Sequence, residues 1–153
     1  MNDSNVATNI RTALENLLKS QNLAVLATHD HGQPYTSLVA FSGSENLKAL
    51  YFVTGQATRK YANLMDDPRA AMMIDNRSNM PADIADAMAA TATGSVDIVS
   101  ENERLKLLNM YLKKHPYLAE FAKSPSTRLI RLNVFCYYVV NRFQNVVELH
   151  MRT

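Results

Sequence analysis

The chain has 153 residues, 47% of them hydrophobic, with four Gly, five Pro and a formal net charge of +2 from sixteen Lys and Arg against fourteen Asp and Glu. That is the size of one domain able to bury a core unaided, and the composition excludes a disordered or fibrous chain. The charges run along the whole length, which excludes the basic stripe of a nucleic-acid binder or of a protein held on an anionic membrane.

The one cysteine, Cys136, lies in an apolar stretch; it excludes an internal disulfide, fits a reducing compartment and reads as a small buried hydrophobe. The first twenty residues lack the basic and apolar regions of a signal peptide, and no segment approaches the ~20 apolar residues of a membrane span. A cytoplasmic, single-domain protein over residues 1–153 is expected, with no membrane or nucleic-acid partner.

Residues 6–19 carry Val6, Ile10, Ala13, Leu14, Leu17 and Leu18 at spacings of three and four, so they read as an amphipathic helix capped by Asp3 or Ser4. Two extended runs follow, "LAVLATHD" (23–30) and "PYTSLVAFS" (34–42), joined at Asp30, His31 and Gly32 as a hairpin. His29 and His31 belong to that surface turn. "ALYFVT" (49–54) is a third strand, rich in aromatic and β-branched residues.

A helix is expected from Arg59 to Met65, with Thr58 as N-cap and Pro68 beyond its end, leading into the strand "RAAMMID" (69–75). Residues 76–88 read as a polar loop, and 89–100 as a fifth strand with Gly94 at a bulge or a close backbone approach. Residues 101–114 place Leu105, Leu108, Met110 and Leu112 among charges, a helix whose Ser100 and Glu103 form a capping box. A short helical piece, 116–122, follows His115, a structural residue at a helix end. The chain closes with 127–134 and 136–151, two strands or one bent ribbon. Short strands with hairpin joints and peripheral helices argue for a mainly β, antiparallel barrel. No glycine-rich nucleotide cradle occurs.

Arg59 and Lys60 sit in the first turn of their helix, where positive side chains oppose the macrodipole at about 0.3–1 kcal/mol each. A phosphate monoester would compensate, because it accepts from both cations, from the free amides of the first turn and from threonine hydroxyls. Solvated surface cations are the plainer reading of the same residues.

The stretch "YFVTGQATRKYANLMDDPRAAMMID" (51–75) resembles the signature region of the pyridoxamine 5'-phosphate oxidase-like, FMN-binding split-barrel family. It shows an apolar strand ending in Thr, then Thr-Arg-Lys, a helix with Asn-Leu, and an Asp-Pro-Arg turn into another strand. The leading helix, "LAVLAT", Gly94 and the closing "VVEL" fall in the family's order. The resemblance implies a six-stranded antiparallel split barrel of Greek-key type, a homodimer, and FMN in a groove shared between subunits. It implies Arg59 and Lys60 as phosphate cations and Thr54 and Thr58 as hydroxyl donors. It also implies the backbone of Ser37, Leu38, Val39 and Ala40 along the isoalloxazine edge. Asn63 and Leu64 read as helix packing.

The family's oxidase uses an Arg-x-His pair on its last strand; here Arg142 is followed by Gln144, and Ala89 stands where the family has a glutamine. Vitamin B6 oxidation is not expected. The leading expectation is an FMN-dependent oxidoreductase passing electrons from a donor such as NAD(P)H to a small acceptor. A flavin carrier or redox sensor, and a haem or deazaflavin protein on the same barrel, with His150 the candidate haem ligand, are the alternatives. Arg142, Phe143 and Gln144 read equally as a turn or as groups reaching the flavin. No catalytic residue is assigned, and no metal site is expected.

Overall fold

A computed structural model describes residues 3–142 and 145–152. Its first helix, α1 (Asp3–Ser20), buries Ile10, Leu14, Leu17 and Leu18, the stripe that the three-and-four spacing predicts. The hairpin follows as β1 (Leu23–Asp30) and β2 (Gln33–Ala40). His31 and Gly32 between them both have positive φ, 47° and 89°, as a type I′ two-residue turn requires.

A two-residue β3 (Ser42–Gly43) precedes β4 (Ala49–Gly55), α2 (Arg59–Asp66) and β5 (Arg69–Asp75). The polar loop expected at 76–88 contains one turn of helix, α3 (Asp83–Asp86), ahead of β6 (Ala89–Ile98) and α4 (Glu101–Lys114). A 3-10 turn (Pro116–Leu118) and α5 (Ala119–Lys123) lead into β7 (Thr127–Asn141) and β8 (Asn145–His150). No helix of the described residues is long and apolar enough to cross a membrane.

All strand pairings are antiparallel, in the order β2-β1-β5-β6-β7-β4-β3, with β8 paired to β7 off that path. That path holds six long strands, and with the two-residue β3 and with β8 the sheet has more strands than the six expected. The sheet curls around Leu26, Phe41, Phe52, Met72, Ile74, Ile130 and Tyr137, and α1 adds Leu14 to this core. A second cluster, including Tyr51, Val53, Leu108, Tyr111 and Leu129, forms where α4 and α5 cover β4 and β7.

The closing segment corrects the expected boundary. Residues 127–141 are one strand, and the chain reverses after Asn141, with Arg142 at a φ of 48°. The apparent break at Phe135 is a β-bulge: Thr93 pairs with Cys136 and Gly94 with Val134, so Phe135 has no partner on β6 and the inward side changes parity. Gly94 is required there, because a Cβ on it would collide with the Asn133 carbonyl. Phe143 and Gln144 lie outside the described residues.

α4 forms as expected, with its buried face on two residues and one detail of its cap different. Leu105 and Met110 are 74% and 44% exposed, and the buried face is Leu108 with Tyr111. Ser100 is the N-cap, but its hydroxyl bonds the Glu103 carboxylate at 3.3 Å and no backbone amide, so the capping box does not close. Arg131 draws Glu103 away, at 3.2 Å, while also pairing with Asp97 at 2.7 Å.

Candidate functional site

The barrel has a seam. β2 ends the sheet, so one edge of it has no strand partner, and it faces the edge of β4 beyond the short β3 pairing. The Tyr111 hydroxyl sits in this seam, donating to the Ala40 carbonyl at 2.9 Å and facing the Val53 backbone amide. Burial pushes its phenol well above the ordinary value. In a strand, residues two apart present their backbone polar groups to the same side, so Leu38 offers its amide and carbonyl along the same free edge as Ala40.

A groove of about 290 Å³ follows the seam. Leu38, Val39 and Ala40 form one wall, Val53, Thr54 and Gly55 the other; Thr58 and Lys60 stand at its α2 end, and Tyr117 and Phe121 on its rim. A larger hollow of about 520 Å³ between α1, β3 and α4 is ringed by charges of both signs, Glu15, Glu45, Lys19 and Lys114, and has no comparable set of convergent donors.

The start of α2 is built as the sequence predicts. Thr58 is its N-cap, with extended φ and ψ of −89° and 155°, and its Oγ1 accepts from the Tyr61 amide at 3.3 Å. Its hydroxyl lies 2.9 Å from that of Thr54, and both can donate to the Gly55 carbonyl, at 3.0 and 3.1 Å. The Gly55 carbonyl can accept both hydroxyl protons, so either hydroxyl turns toward a ligand by giving up one of these internal bonds. The amides of Arg59 and Lys60 have no acceptor among the described residues. Asn63 anchors the helix from beneath, donating to the Thr28 hydroxyl at 3.0 Å, while Leu64 enters the core.

Of the residues implied by the resemblance, Leu38, Val39, Ala40, Thr54, Thr58 and Lys60 line the groove together. Ser37 and Arg59 do not. The Ser37 hydroxyl is buried without a partner, one residue before the groove wall, and the Thr127 hydroxyl is likewise unpartnered, opposite Gly55 in register. The Arg59 guanidinium reaches back to Asp30 at 3.5 Å, in an exposed pair of the kind worth little.

That hairpin end is a network of charges. His29 Nδ1 accepts from the Gly32 amide at 3.0 Å, which leaves Nε2 to donate to Asp67 at 2.9 Å, and Arg69 forks onto the same carboxylate at 2.7 Å. The Arg69 hydrogen bonds hold the Asp67 carboxyl well below the ordinary range. His31 is bonded to Asp30 at 2.7 Å, which raises the imidazole and lowers the carboxyl.

Tyr111 is the site residue the sequence reading misses; its signal is an aromatic with a polar tip three residues after Leu108. His115 follows it as a buried neutral tie, donating from Nε2 to the Phe41 carbonyl at 2.7 Å and accepting at Nδ1 from Tyr117 at 3.2 Å, with burial lowering its proton affinity.

A curled antiparallel sheet with two facing edges and a helix start at the seam defines a split barrel. Residues 10–141 match the family model described as pyridoxamine 5'-phosphate oxidase, and the chain belongs to that family. Among solved structures it is similar to a haem-binding protein from Mycobacterium smegmatis, at 20% identity and TM-score 0.79, covering 89% of this chain and 55% of that one. This chain therefore spans just over half that protein's length. It is similar along nearly the whole length of General Stress Protein 26 from Bacillus anthracis, at 16% identity and TM-score 0.73, covering 94% and 99% of the two chains. An FAD-binding protein from Mesorhizobium loti matches at 16% identity and TM-score 0.65, covering 84% and 90%. At these identities the likeness establishes the fold. No curated protein sequence matches the chain.

Proposed function

We propose that the groove binds FMN in a homodimer, with the site at the subunit interface, and that the protein is an FMN-dependent oxidoreductase moving electrons from a donor such as NAD(P)H to a small acceptor. One observation carries this reading: a hydroxyl pair, Lys60 and two free first-turn amides meet at one end of a groove whose wall is an unpaired strand edge.

The residues fit such a ligand. Lys60, Thr58 and the Arg59 and Lys60 amides would hold the phosphate through charge-assisted and neutral hydrogen bonds. The free edge at Leu38 would meet the polar edge of the ring, while Val39 and Val53 supply apolar contact and exclude water. Bound FMN supplies the hydride and electron chemistry, which explains a site without an acid-base pair. Arg59 joins the phosphate only by leaving Asp30. His150, the candidate haem ligand, is an exposed residue of β8 and does not line this groove, which supports a flavin over haem.

The test is the absorption spectrum of freshly purified protein, followed by anaerobic reduction with NADH or NADPH and reoxidation by a panel of acceptors. A flavin spectrum with one FMN per chain and turnover supports the proposal. Bound FMN that no donor reduces would turn the reading to a carrier or redox sensor, and a failure to bind FMN would overturn it.

A further inference from the structure

We propose that Cys136, Glu148 and His150 form a zinc site that fastens β8 to β7. In the β7–β8 ladder His150 lies directly opposite Cys136, and Glu148 opposite Tyr138. Directly opposed residues, and residues two apart along a strand, project to the same side of a sheet, so all three side chains share one face. The thiol sulfur, a carboxylate oxygen and an imidazole nitrogen lie within 4.8 Å of one another, the one such trio among the described residues.

The surroundings of the thiol do not match those of a core cysteine. Every other buried hydrophobic residue belongs to one of the two apolar clusters, and Cys136 belongs to neither. It is buried beside a carboxylate and an imidazole, which themselves meet at 2.9 Å. Burial, and then the negative charge of Glu148, push the thiol upward, so ionising it without a cation places two anions side by side. A divalent cation between them reverses that cost.

The donor set selects the metal. Thiolate sulfur is a poor ligand for calcium or magnesium, whereas zinc takes sulfur, imidazole nitrogen and carboxylate oxygen together. Tetrahedral zinc would draw the three atoms to about 3.4–3.6 Å apart. Glu148 and His150 are exposed and free to adjust to that geometry, giving up the 2.9 Å hydrogen bond between them, and a water from the open side completes the shell. Binding displaces the proton of the Cys136 sulfur, since zinc takes the thiolate, the carboxylate and the neutral form of an imidazole, and no electron is transferred. β8 pairs only with β7, so the metal would pin a strand that the rest of the sheet does not hold.

Cobalt(II) is the probe, added to the full chain and followed as a difference spectrum. Cys136 is the one sulfur that can ionise, so a thiolate-to-cobalt charge-transfer band reports on it alone. The expected result is a band that saturates at one cobalt per chain and is displaced by zinc. Cys136→Ser should abolish it, and Glu148→Gln and His150→Gln should each weaken cobalt binding at least about tenfold with the circular dichroism unchanged. The two exposed substitutions decide the matter if the Cys136 variant fails to fold. Absence of the band, or a titration that neither exposed substitution moves, would overturn the proposal.

Discussion

The Tyr111 hydroxyl reaches the Ala40 carbonyl at 2.9 Å, so a side chain from α4 holds the free edge of β2 in place. Tyr111→Phe keeps the ring in the second apolar cluster and leaves that part-buried carbonyl without its donor. A loss of about 1–3 kcal/mol is expected. Urea unfolding measures it, and an unmoved midpoint would show that the bond does not hold the seam.

Lys60 lines the groove and Arg59 is turned to Asp30, so the two adjacent cations should not count equally. Lys60→Ala is expected to weaken FMN binding by about tenfold or more, and Arg59→Ala by less. The double substitution should cost about a hundredfold, and Asp30→Asn, which frees Arg59, should tighten binding. Fluorescence titration with FMN checks all four. Equal affinities for the wild type and the double variant would end the assignment of this helix start.

Much of this architecture is legible in the sequence because it rests on local rules. The spacing in 6–19, the Thr58 cap and the His31-Gly32 turn each involve residues a few positions apart. What escaped depends on partners far along the chain. The break read at Phe135 is a bulge set by Gly94 on a neighbouring strand, and Glu103 leaves its capping role for Arg131 on β7. The buried face of α4 is not given by its leucines alone, because burial there follows the packing of α5 and β4, which selects Leu108 and Tyr111 over Leu105 and Met110. Arg59 was readable as a misplaced cation, but Asp30, its partner in the fold, was not.

Gly94→Ala should be severe. The added methyl would overlap the Asn133 carbonyl, a backbone atom that cannot swing aside, and the β6–β7 bulge would have to open. A destabilisation of about 3 kcal/mol or more is expected, on the scale of strained backbone and overpacked cores. Thermal unfolding by circular dichroism measures it, and a variant as stable as the wild type would show that the bulge tolerates a side chain.

Asp67 sets an acid limit on the hairpin network. Its folded carboxyl titrates below the ordinary value of 3.8, chiefly because Arg69 bonds it, so its contribution is fully present above that value and is lost as pH falls through the folded one. Asp67→Asn should therefore destabilise the protein most at neutral pH, with the gap to wild type narrowing below pH 3.8. Unfolding midpoints compared across that range check the sign. A gap that widens on acidification would contradict it.

The proposed homodimer follows from apolar surface around the groove. Leu38 is 66% exposed on the free edge of β2, Leu23 48% beside it, and Tyr117 69% and Phe121 46% stand on the rim. Side chains of this size are expensive to leave in water together, and a second copy related by a two-fold axis would cover them while deepening a groove that one chain leaves shallow for a flavin. Leu38→Asp places a charge in that contact without touching either core. It is expected to convert a dimer to a monomer in light scattering at micromolar concentration and to weaken FMN binding in parallel, because the second wall departs with the partner. A wild-type monomer that binds FMN at full affinity would confine the site to a single chain.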